Sequence, residues 1–91
     1  MRFGIDESDL IFDPIAQPIA YAPESDAVTL DAVSLISKKL GAATILGISN
    51  VSYGLQNREA ANAAFLRRAL QCGLTAAIAD PCSEAIRKLF A

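Results

Sequence analysis

The apolar residues of this chain change spacing as the chain runs. Residues 44–48, Thr-Ile-Leu-Gly-Ile, are almost unbroken in their apolar character. A run this short, bounded by turn residues, suits a strand buried on both faces, expected over 43–49. A polar turn follows, Ser49-Asn50-Val51-Ser52-Tyr53-Gly54, and from about Arg58 the spacing becomes helical. Ala61, Phe65, Ala69 and Cys72 then share a face, with Leu66 and Leu70 beside it, while Glu59, Arg67 and Gln71 point outward. Gly73 supplies the stop.

Upstream, Leu10-Ile11-Phe12 is a brief apolar run closed by Asp13-Pro14, because proline cannot continue a central strand. Residues 14–25 contain three prolines and read as stiff, extended connection. The following helix is expected to be capped by Asp26 or Thr29. Its buried face is expected to be Val28, Ala32, Leu35, Ile36 and Leu40, with Asp31, Ser34 and Lys38 in water. Lys38 and Lys39 complement the dipole of the last turn, and Gly41 ends it. Ala76-Ala77-Ile78-Ala79 reads as a third strand ending at Asp80-Pro81, and Ser83 caps a final helix over 84–90. At the start, Phe3-Gly4-Ile5 reads as the tail of another helix with a glycine stop.

The order is therefore β-α-β-α-β-α, an α/β chain with parallel strands and right-handed crossovers. The strand end Ile11-Phe12-Asp13-Pro14 recurs as Ile78-Ala79-Asp80-Pro81. Two carboxylates and the carboxamide of Asn50 thus project from one edge of the sheet, where such folds carry their chemistry. Three βα units are about a third of a (β/α)8 barrel, which needs roughly 250 residues.

Composition narrows the function. Ninety-one residues make at most one small domain, and 53% hydrophobic content is rich for that size. The excess implies apolar faces that meet a further part of the domain or a partner. A net charge of -2 without a basic cluster sets nucleic acid aside. No apolar run approaches the ~18 residues of a membrane span, and the acidic start lacks a signal-peptide core, which makes the cytoplasm the default. The absence of histidine removes His-based triads, His general bases and most zinc-hydrolase sites. Cys72 and Cys82 are not spaced as a zinc knuckle and read as buried or half-buried free thiols. Local chemistry leaves alternatives open: asparagine favours turns, and Asp-Pro opens them, so Asn50, Asp13 and Asp80 have structural readings too. Ser49 and Ser52 have no base nearby. Arg58 fits support of the loop better than contact with a substrate.

The run GISNVSYGL, followed by NREAANAAFLRRALQCGLTAAIADP and preceded by DLIFDPIAQPI, resembles the pterin-binding methyltransferases. These are the methyltetrahydrofolate:corrinoid/iron–sulfur protein methyltransferases and the folate-binding module of cobalamin-dependent methionine synthase. The resemblance implies a partial (β/α)8 TIM barrel, with residues 1–91 as the carboxyl-terminal part of a pterin-binding domain. It implies transfer of the N5 methyl of methyltetrahydrofolate to a corrinoid (cobalamin) held by a partner protein, with no metal bound by this chain. Asn50 would contact N5 as the catalytic residue, Asp13 would bind the polar edge of the pterin, and Ile78 would pack on the ligand. Tyr53 stands where some members carry a glutamine near the ligand; it would stack there or fill the rim. Gln56 replaces a common proline. A dihydropteroate synthase-like activity is the enzyme alternative, disfavoured by the lack of a visible phosphate-binding signature near Asn50. The alternative of another class is a truncated, non-catalytic piece that associates through its open sheet edges, with itself or with a complementary fragment.

Overall fold

The computed structural model describes residues 9–90. The reading of Phe3-Gly4-Ile5 lies outside them. The chain runs β1 (Ile11–Phe12), α1 (Ser25–Leu35, continued by a π-helical turn Ile36–Leu40), β2 (Ala43–Gly47), a 3-10 turn (Ile48–Ser52), α2 (Arg58–Gln71), β3 (Ala76–Ile78) and α3 (Glu84–Lys88). The strands form a parallel sheet in the order β1-β2-β3. Sequential order with right-handed crossovers places the helices on one face, as in a barrel wall. Burial agrees with that placement. Along β2, Thr44 and Leu46 are completely buried, while Ala43, Ile45 and Gly47 are only half-buried. On the other two strands Ile11 and Ile78 are 63% and 67% exposed. Register puts Ile11 beside Ala43 and Ile78 beside Gly47, so all of these belong to the uncovered face.

The core lies between sheet and helices: Leu30 and Val33 of α1, Phe65, Leu66 and Ala69 of α2, Leu46, and Ile48 and Val51 of the turn. A radius of gyration of 13.8 Å exceeds the ~12 Å of a compact chain of this length, as expected when one face of a sheet stays open. Two threonines tie β2 to β3 at their starts. Thr44 N–H donates to Thr75 Oγ1 at 3.1 Å, and Thr75 N–H returns a bond to Thr44 Oγ1 at 3.4 Å. This reciprocal pair satisfies a hydroxyl that is fully buried.

Helix α1 turns a different face inward from the one its spacing suggested. Thr29, Leu30 and Val33 are buried, whereas Val28 and Leu35 are 70% and 54% exposed and Leu40 is exposed as well. Polar residues lie on several sides of this helix, so its spacing favours no single face, and two long-range polar contacts accompany the observed rotation. Thr29 Oγ1 donates to Ile15 O at 3.2 Å, and Asp26 pairs with Arg68 of α2 at 3.0 Å. Neither Asp26 nor Thr29 caps the helix. The N-cap is Glu24, at φ 69° and without a side-chain cap bond. By contrast Ser83 caps α3 as expected, its Oγ accepting from Ile86 N–H. Strand β2 is shorter than its apolar run, because Ile48 already belongs to the 3-10 turn.

Candidate functional site

Asn50 sits in the 3-10 turn at the carboxyl end of β2 and is exposed. Its carboxamide reaches back over the strand end. Nδ2 lies 3.8 Å from where a Cβ on Gly47 would be. Such a Cβ would continue the Ala43, Ile45 series on the uncovered face. Gly47 therefore keeps an open step beneath the amide, and Ile78 stands beside it in register. Asn50, Gly47 and Ile78 thus come together at one rim.

The turn itself is locked from α2. Arg58 Nε donates to Ser52 Oγ at 3.0 Å, and its Nη2 donates to Ser49 O at 2.9 Å. Ser52 Oγ also donates to Ser49 O at 3.1 Å, and Ser52 is fully buried. These bonds give Arg58 the supporting role that its position suggested. Tyr53 follows the turn, 59% exposed, with its N–H donating to Asn50 O at 3.3 Å.

Asp13 and Asp80 repeat not only in sequence but in geometry. Each Oδ1 accepts the N–H two residues on, Ile15 and Cys82 respectively, at 2.9 Å. Both carboxylates therefore brace their own turns, the local reading of Asp-Pro. Among the described residues Asp13 makes no hydrogen bond to Asn50 or Tyr53. The turn after Asp13 is strained, since Ile15 is a β-branched residue at φ 60°. It is held from both sides, by Asp13 at its N–H and by Thr29 at its carbonyl.

A cavity of about 370 Å³ opens next to this rim rather than on it, between the loops that follow β2 and β3. Ser49, Arg58, Glu59, Asn62, Asp80 and Ser83 line it. Neither Asn50 nor Ile78 lines that cavity. Glu59, read from sequence only as outward-facing, spans the cavity mouth. Its Oε1 accepts from Ser83 Oγ at 2.9 Å and from Ala85 N–H at 3.3 Å, joining α2 to the start of α3. Those bonds, the Ser83 hydroxyl first, hold its carboxyl below the ordinary value near 4.5. A lowered folded-state value adds stability that is complete above the unfolded value and fades as pH falls through the folded one. Acid titration followed by hydrogen exchange at 84–88 should therefore show α3 loosening below about pH 4.5. Glu59→Gln should be looser above that point and should not change through it.

Cys72 is half-buried and Cys82 is exposed, both as free thiols. The described residues gather no cluster of three or more Cys, Asp or Glu suited to a metal, and none of their helices is long and apolar enough to cross a membrane. Sequence reasoning missed Tyr21, whose ring lies 6.0 Å from that of Tyr53 between centroids.

Comparison with known proteins agrees with the α/β fold. The family described as "Pterin binding enzyme" matches residues 1–80. The chain is 34% identical over 84 residues to a methionine synthase of Mycobacterium tuberculosis and 35% identical over 84 residues to one of Mycobacterium leprae. Each alignment covers 85% of this chain and 7% of the relative, so the chain spans a small part of the length of these proteins. With its three parallel βα units forming part of a (β/α)8 barrel, the chain belongs to the pterin-binding enzyme family.

Proposed function

We propose that this chain is the carboxyl-terminal part of a folate-binding barrel that moves the N5 methyl of methyltetrahydrofolate to a corrinoid on a partner protein. The observation that supports it most is the carboxamide of Asn50, set over the Cβ-less step at Gly47 on the uncovered face. A flat ring entering that face would meet Ile78 as an aliphatic wall and the amide above it.

The chemistry asks for such a group. A tertiary amine is a poor leaving group. As the methyl departs, the electron pair of the N5–C bond returns to nitrogen, which becomes more basic. A neutral carboxamide donates to it at that moment and avoids the cost of burying a charge. The second oxygen of Asp13, Oδ2, is the acceptor this reading assigns to the 2-amino-pyrimidinone edge, where charge-assisted bonds orient the ring. The corrinoid, when its protein docks, supplies the nucleophile, and this segment binds no metal. A cytoplasmic location belongs to the same reading.

The test is a chimera. Residues 9–80 of this chain replace the aligned segment in the folate module of a methionine synthase. Free cob(I)alamin is added with methyltetrahydrofolate, and the loss of cob(I)alamin absorbance is followed. Consumption at a rate near that of the parent module is expected. A folded chimera that binds folate and leaves cob(I)alamin untouched would count against the proposal.

A further inference from the structure

We propose that Tyr21 and Tyr53 form a platform for the p-aminobenzoyl ring of a folate, beside Asn50; the identity of the ligand rests on the folate reading given above. The two rings meet at a tilt of 42° with centroids 6.0 Å apart. They are 72% and 59% exposed, so each keeps ring surface open to solvent. Packing alone gives no reason to bring two large aromatic groups together and leave them wet.

Several features hold them there. Gly54, immediately after Tyr53, lies at φ 88°, and a Cβ on it would come within 2.8 Å of Tyr21 Cε2. The Tyr21 ring thus occupies space that only glycine leaves. The proline-rich loop that carries Tyr21 is tied to the turn of Asn50, since Ile19 N–H donates to Val51 O at 3.1 Å. Within the loop, the N–H groups of Tyr21 and Ala22 both donate to Pro18 O, at 3.2 and 2.9 Å. On the other side, the Arg58 guanidinium lies 5.9 Å from the Tyr53 centroid while two of its nitrogens hold the turn. Tyrosine loses little rotamer freedom on binding, and its ring accepts another ring edge-on or offset.

A folate carries its p-aminobenzoyl ring directly beyond the pterin and ends in the carboxylates of glutamate. An aromatic platform one turn from the residue assigned to N5, with a cation at its border, matches that order of groups. An unconjugated pterin has nothing to place there.

The experiment titrates the 91-residue chain separately with three ligands: p-aminobenzoylglutamate, 5-methyltetrahydrofolate, and a 5-methyltetrahydropterin without the tail. The tyrosine ring signals are followed by NMR. Both tailed ligands should shift Tyr21 and Tyr53. Tyr21→Leu should weaken them about three- to tenfold and leave the tailless pterin within about twofold, while Tyr21→Phe should bind as the unaltered chain does. Equal weakening of all three ligands, or no weakening of any, overturns the platform. So does a concentration-dependent shift of the rings without ligand, which would mark the patch as a contact between copies. If p-aminobenzoylglutamate and 5-methyltetrahydrofolate both shift the rings and the tailless pterin does not bind, the platform stands and the pterin reading falls. If the tailless pterin binds and p-aminobenzoylglutamate shifts nothing, the pterin reading stands and the platform falls.

Discussion

Asn50→Ala in the folate-module chimera is expected to lower kcat by about 10²–10³-fold, the usual cost of removing one donor aimed at developing charge. The amide of Asn50 is exposed and sits over Gly47, so little of the fold depends on it. The loss should fall equally on kcat and on kcat/KM, because N5 gains basicity only as the methyl leaves. Residual turnover should rise as pH falls, since solvent then supplies a proton in place of the hydrogen bond that the carboxamide no longer donates. Asn50→Asp should be no better than alanine, as an ionised carboxylate accepts and cannot donate. A variant whose KM alone rises would mean that Asn50 only helps to hold the ring. The assay is the cob(I)alamin absorbance decay, run at saturating and at low folate.

Leu46→Ala is the most damaging change expected for stability. Its side chain is completely buried between β2 and the two long helices. Truncating a buried leucine costs about 2–5 kcal/mol, from lost transfer energy and from the cavity left behind. A domain of this length has roughly 5–14 kcal/mol to lose, and the uncovered sheet face places this chain toward the low end. Urea unfolding should show a sharp fall in midpoint, with much of the chain already unfolded at 37 °C. Leu35→Ala is the matched control on α1. Leu35 is 54% exposed, so its truncation should change stability by no more than about 0.5 kcal/mol. Equal losses in the two variants would mean that α1 packs by the face its spacing suggested, contrary to the structure.

Where sequence and structure agree, the determinants are local. The strand of β2, the turn after it and the face of α2 around Phe65 and Ala69 follow from short-range periodicity, and Ser83 caps α3 through its own hydroxyl. Where they part, the determinants are distant. The rotation of α1 goes with bonds from Thr29 to Ile15 and from Asp26 to Arg68, which no window on the helix contains. Glu59 points outward as its position implies, yet its partners stand at the start of another helix. Cys82, expected at least half-buried, is exposed, in the loop after β3. Of the candidate site, Ile78 was singled out by resemblance, while the placement of Asn50 at a strand end was legible from the alternation of strands and helices. Gly47 beneath the amide and Tyr21 beside Tyr53 were not, because each matters only through a neighbour brought in by folding.

The side-chain amide of Asn50 gives the most direct test. Nitrogen-15 spectra of the chain, recorded as 5-methyltetrahydrofolate is added to millimolar concentration, report on that NH₂ group even when binding is weak. The expected result is a progressive shift of the Asn50 Nδ2 resonances together with the methyl signals of Ile78, and its loss when Gly47→Val fills the step below the amide. Shifts confined to residues around the neighbouring cavity, with Asn50 and Ile78 unmoved, would contradict the assignment of this rim as the folate site.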